Sequence, residues 1–84
     1  MATMREIRAF ATRIAEEFHP RTIILFGSHA EGRARADSDV DILVVMPFEG
    51  KACRQAWRIL EQLQPRLPVD LLVRAPRELA RRVE

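Results

Sequence analysis

The sequence predicts a small α/β (α+β) domain: one mixed or antiparallel sheet with helices packed on it. Three observations carry that prediction. The chain has 84 residues, room for a single domain over 1–84 and little more. Apolar residues recur at helical spacing in two long stretches and cluster in three short, β-branched runs between them. Prolines and glycines fall between these stretches, where a chain has to turn, and hardly ever inside them.

The elements follow in order. Thr3 with Glu6 three residues later reads as a capping box that opens a helix. Ile7, Phe10, Ile14 and Phe18 then repeat at three- and four-residue steps, with Ala11 and Ala15 on the same face. The helix should stop at His19, because a residue before proline avoids the helical region. Thr22 to Phe26 is a short buried strand that closes on Gly27. Ser28 to Ser38 is small, charged and glycine-containing, as expected of a short helix or turn with an exposed loop. Asp39 to Met46 is the second strand, stopped by Pro47, and Lys51 to Gln64 the second long helix. On that helix Cys53, Ala56, Trp57, Leu60 and Leu63 are expected to face inward, and Arg54, Arg58, Glu61 and Gln62 outward. Pro65 and Pro68 bracket the way to a third strand, Val69 to Val73. Pro76 suits the first turn of a last helix, with Leu79 and Val83 inward and Arg81 and Arg82 exposed.

Bulk properties exclude several classes. With 48% hydrophobic and 31% charged residues the chain is globular rather than disordered. Cys53 is the sole cysteine, so no internal disulfide can form and an oxidising compartment is not implied. The longest apolar stretch, Ile42 to Phe48, is far too short to span a membrane, and the amino terminus lacks the apolar core of a secretion signal. A cytoplasmic location without membrane contact is therefore expected. A net charge of +2 argues against nucleic acid as the main partner. All basic residues but Lys51 are arginines, whose planar fork suits phosphate and carboxylate. Arg74, Arg77, Arg81 and Arg82 form a basic cluster expected to be a solvated helix face.

Two features are not accounted for by packing. Gly27-Ser28 directly follows a buried strand, where glycine permits a sharp turn and close approach of backbone N–H groups to a ligand. Should Ser28 open a helix, its free N–H groups would favour a phosphate. The second feature is Ser38-Asp39-Val40-Asp41 running into Ile42-Leu43-Val44-Val45. Alternation along a strand points Asp39 and Asp41 to the same side, at the edge of a core. Two carboxylates held close repel, and a divalent cation between them reverses the sign. Such oxygen-only donors suit Mg²⁺ or Mn²⁺. Asp70, in Val69-Asp70-Leu71-Leu72, repeats the pattern on the third strand. His29 lies in the candidate phosphate loop and is expected to face solvent; His19 is a helix-end residue.

Taken whole, the run from Gly27 through Asp41 resembles the signature of the DNA polymerase β-like nucleotidyltransferase superfamily: Gly-Ser, a short spacer, then Asp-x-Asp on the next strand. The chain length and the third acid at Asp70 are similar to the minimal nucleotidyltransferase (MNT) branch. The resemblance implies a nucleoside triphosphate, ATP, with its phosphates against Gly27 and Ser28. It implies metal at Asp39, Asp41 and Asp70, with Asp70 helping to activate the attacking hydroxyl. The chemistry implied is in-line displacement at the α-phosphorus assisted by two metal ions, with pyrophosphate leaving. One departure stands out: where relatives commonly carry arginine in Ala-Arg-Gly, this chain has Glu31 between Ala30 and Gly32, leaving Arg33 or Arg35 to neutralise phosphate.

Larger relatives carry a second domain for the acceptor, and this sequence has no room for one. In the MNT branch, resembling proteins are often antitoxins paired with a HEPN-domain ribonuclease toxin, and some transfer AMP to a tyrosine of it. The resemblance therefore implies an antitoxin that modifies a HEPN toxin. The alternatives are an antitoxin that neutralises its toxin by binding alone, and transfer to RNA or a small molecule. Trp57 is the residue that a partner would contact if the small core left it exposed.

Overall fold

The structure is a computed structural model in which residues 2–78 are described. Its first helix, α1 (Met4–Phe18), opens with the expected capping box: the Glu6 amide donates to Thr3 Oγ1 at 3.1 Å, and the Thr3 amide donates to Glu6 Oε1 at 2.9 Å. It closes on His19, whose left-handed backbone (φ 49°) lets its N–H return to the Ala15 carbonyl. Strand β1 (Thr22–Phe26) is followed by a single helical turn, α2 (Gly27–Ala30), and an irregular loop. Strand β2 (Val40–Val45), helix α3 (Ala52–Leu63) and strand β3 (Val69–Arg74) complete the described elements. A helical turn begins at Pro76, and the expected inward Leu79 and Val83, with Arg81 and Arg82, lie outside the described residues.

The sheet is mixed, in the order β1-β2-β3. β1 pairs antiparallel with β2, and β2 pairs parallel with β3, the α3 crossover providing the length that a parallel connection needs. Placing β2 in the centre explains its composition. Val40, Ile42 and Val44 are all but fully buried on the face covered by helices, with Leu71 and Val73 of β3 beside them. Ile7, Phe10 and Ile14 of α1 and Ala56, Ile59 and Leu63 of α3 close this core from above. Each aliphatic side chain so enclosed contributes about 1.5–3 kcal/mol relative to exposure, so this face carries the stability of the domain.

Two expectations are corrected. The buried stripe of α3 is Gln55, Ala56, Ile59 and Leu63, whereas Cys53 is exposed, Leu60 only partly buried and Trp57 64% exposed. The expected stripe is rotated from the observed one by roughly a quarter turn; Ile59, three residues from Ala56 and four from Leu63, completes the helical repeat. Gln55 stays inside because its amide donates to the Met46 sulfur at 3.6 Å. The second correction is minor. Asp39 lies one residue before β2 rather than in it, although the Val40 amide already donates to the Pro68 carbonyl at 2.8 Å.

Candidate active site

The face of the sheet away from the core is where the acidic residues lie. Because side chains alternate, Phe26, Asp41 and Asp70 form one row across the three strands, and Ile24, Leu43 and Leu72 the next. Asp41 and Asp70 are directly opposed in the parallel register, so the second and third sequence-predicted acids stand abreast. Asp41 is half-buried and Asp70 exposed. Asp39, two residues before Asp41, is exposed at the mouth of the same strand.

Gly27 sits against this row. Its φ of +75° is a left-handed conformation that glycine adopts without strain. A Cβ at this position would overlap the Asp41 carboxylate. Only a residue without a side chain brings the turn and the acid this close. Ser28 follows, and its carbonyl accepts from the Arg33 amide at 2.8 Å, which curls the start of the loop back on the turn. With just four residues, α2 adds little macrodipole. What the turn presents is its leading N–H groups, which no helix of this length can satisfy internally.

Glu31 caps α2 and is exposed, its carboxylate receiving the Arg33 guanidinium at 3.0 Å. The anion that replaces the usual arginine is thus matched by a cation two residues on. Between such exposed groups the pair adds little to stability.

His29 was expected to face solvent, and its place differs. It is half-buried, with Nδ1 3.1 Å from the Asp39 carbonyl oxygen and Nε2 enclosed without a partner among the described residues. Histidine at a turn ten residues from an Asp-x-Asp strand gives no local signal of this contact, because the contact exists only once the loop has closed.

For a divalent ion the donor chemistry fits. Mg²⁺ takes one or two carboxylates and completes its shell with water and phosphate oxygens, and the Asp41–Asp70 pair supplies such carboxylates beside the Gly27 turn. Among the described residues no group of three or more His, Cys, Asp or Glu side chains is gathered closely enough to hold a metal ion by itself. Asp39 lies one residue before the strand and is not drawn into such a group.

A Gly-Ser turn pressed onto a strand with paired acids, on a three-stranded mixed sheet backed by helices, is the architecture of nucleotidyl transfer, and the chain belongs to the nucleotidyltransferase domain family, which it matches over residues 7–84. It is 46% identical over 48 residues to the protein adenylyltransferase MntA of Thermococcus cleftensis, an alignment covering 52% of this chain and 48% of that protein. The chain thus spans about half the length of this curated relative. A crystal structure of a candidate nucleotidyltransferase from Sulfolobus solfataricus superimposes with a TM-score of 0.70, covering 92% of this chain and 70% of that one at 24% identity. That likeness establishes the α+β fold. Among the described residues no helix is long and apolar enough to cross a membrane.

Proposed function

We propose that this domain transfers AMP from ATP to a protein acceptor, a HEPN-domain toxin, and acts as its antitoxin in the cytoplasm. The observation that carries the reading is the row formed by Asp41 and Asp70 with Gly27 folded onto Asp41. Its support is the similarity of the chain to a protein adenylyltransferase.

Each residue has a distinct task in this reading. Gly27 and Ser28 admit the triphosphate to the backbone N–H groups of the turn. Asp39, Asp41 and Asp70 hold Mg²⁺ or Mn²⁺. When bound, such ions neutralise the phosphates and favour deprotonation of the attacking hydroxyl. The acceptor oxygen then forms a bond to the α-phosphorus as the bond to the bridging oxygen breaks, and pyrophosphate leaves. Asp70 is exposed at the end of the row; in this reading it orients the acceptor hydroxyl and receives its proton. The chain itself supplies position and charge rather than a covalent intermediate. The exposed Trp57, with Arg54 and Arg58 beside it on α3, offers a contact for a protein acceptor.

The test is mass spectrometry of a HEPN-domain protein encoded beside this chain, incubated with it, ATP and Mg²⁺. The partner should gain one or more AMP masses, and Asp39→Asn with Asp41→Asn should slow the gain by at least about 100-fold. An unchanged partner mass rejects transfer. A second reading, neutralisation by binding alone, is favoured by Glu31 in place of the loop arginine. It requires the double variant to protect cells from the toxin as well as the parent does.

A further inference from the structure

The peptide joining Asp39 to Val40 is held from both sides. Its carbonyl oxygen lies 3.1 Å from His29 Nδ1, and its N–H donates to the Pro68 carbonyl at 2.8 Å. In a trans peptide these two groups point in opposite directions, so the two bonds together fix the orientation of the peptide plane. The backbone of Asp39 is then no longer free, although the residue is exposed and lies outside β2.

The chemistry of the bond defines its direction. A carbonyl oxygen only accepts, so in this bond Nδ1 carries the proton and donates it. Nε2 is enclosed and has no partner among the described residues. A ring held for solubility would expose this atom, and a ring held purely for packing would not need the Nδ1 contact. The ring also ties together segments distant in sequence. His29 belongs to the turn after β1 and Asp39 leads into β2, while Ala2, Thr3 and Met4 at the start of α1 line a cavity of about 230 Å³ with His29, Gly32 and Ala34.

We infer that His29 is a positioning residue: through Nδ1–H it orients the Asp39–Val40 peptide and so fixes the backbone from which the Asp39 carboxylate extends. The inference rests on the nucleotidyl-transfer reading above and deepens it, because it assigns to the phosphate turn a second task, the alignment of a metal-binding acid. Asp39 lies just outside β2, so the strand ladder alone does not order its carbonyl, and the His29 bond supplies that constraint. With His29 in place the Asp39 backbone is ordered on folding rather than on loading.

Two substitutions separate positioning from packing. His29→Asn keeps a donor attached at the same Cγ position and removes bulk. His29→Leu keeps most of the bulk and removes the donor. Calorimetric titration of the full chain with Mn²⁺ and the ATP analogue carrying a methylene at the α,β-bridge should show affinity at least about tenfold weaker for His29→Leu, about 1.4 kcal/mol. His29→Asn should stay within about threefold of the parent. The opposite order, or equal loss in both, overturns the assignment. Should either variant fail to fold, ¹⁵N spectra of the parent imidazole decide: a proton on Nδ1 is expected, and a proton on Nε2 alone rules the bond out. If the parent itself takes up no Mn²⁺–nucleotide complex, the nucleotidyl reading falls. If the parent binds and His29→Leu matches it, that reading stands and only the role of His29 falls.

Discussion

The two faces of β2 differ more than any other two regions of this molecule. Val40, Ile42 and Val44 point into a core sealed by α1 and α3, whereas Asp41 and Leu43, interleaved with them, point to a face that the described helices leave open. Neighbouring strands repeat the division. Leu71 and Val73 are buried, and Asp70 and Leu72 are exposed. A single run of alternating residues thus packs the core on one side and presents acids on the other. The acids gain nothing from each other when no cation is present, since like charges directly opposite on neighbouring strands are unfavourable. The buried face has to supply the surplus that tolerates them.

The comparison is sharpest when one residue is removed from each face. Ile59→Ala opens a cavity beneath the sheet, at a side chain with no exposed surface. It should lower unfolding free energy by about 2–5 kcal/mol, read from urea denaturation. Asp41→Asn removes a charge opposite Asp70, and in metal-free buffer it should melt no lower than the parent while losing transfer. If Asp41→Asn destabilises as Ile59→Ala does, the open face contributes to the fold and the division fails.

Gly27 tests the seam between the faces. Gly27→Ala places a Cβ where the Asp41 carboxylate lies and forces a left-handed backbone on a residue that disfavours it. The backbone term alone is about 1–2 kcal/mol, and displacement of Asp41 adds a loss of metal–nucleotide affinity that Ile59→Ala should not show. Thermal melting with calorimetry on the same sample separates the two terms. A Gly27→Ala protein with parental nucleotide affinity would mean that the close approach has no part in binding.

How much of this was visible in the sequence depends on whether a feature is local. Capping at Thr3 and Glu6, the stop at Pro20, the extent of the strand from Thr22 to Phe26 and the turn at Gly27 depend on neighbours in the chain, and each was legible; the expected burial of that strand was not borne out, because it lies at the sheet edge with no fully buried residue. Alternation placed Asp41 on the face opposite Val40 and Ile42, whereas Asp39 lies one residue outside the strand. The pairing of β2 with β3 was not legible, because strand order is set by the crossover and the shared core, so the position of Asp70 beside Asp41 needed the fold. Trp57 misled the phase of α3 because its large apolar surface outweighed the period that Ile59 satisfies. His29 was misjudged because its partner is a backbone carbonyl ten residues away, which no spacing announces.

The smallest expected effect comes from the place where scaffold and site adjoin. Thr3 and Met4 at the start of α1 border the cavity that His29 lines, and the capping box fixes that start. Glu6 is held below its ordinary value of 4.5, first by the hydrogen bond its carboxylate accepts from the Thr3 backbone and then by the Thr3 side chain. A lowered folded value means that Glu6 binds its proton less readily in the folded chain than in the unfolded one. Its contribution is therefore complete above the unfolded value and is lost as pH falls from about 4.5 through the folded value. Glu6→Gln keeps a capping side chain but cannot titrate. Melting temperatures of parent and Glu6→Gln should differ by a small, constant amount near neutrality and converge as pH drops below that value. A difference that stays constant down to strongly acidic pH would show that the charge of Glu6 is not what secures the helix start. Metal–nucleotide affinity at neutral pH should be the same in both, because the open face takes its geometry from Gly27 and the strand register and not from the charge at the start of α1.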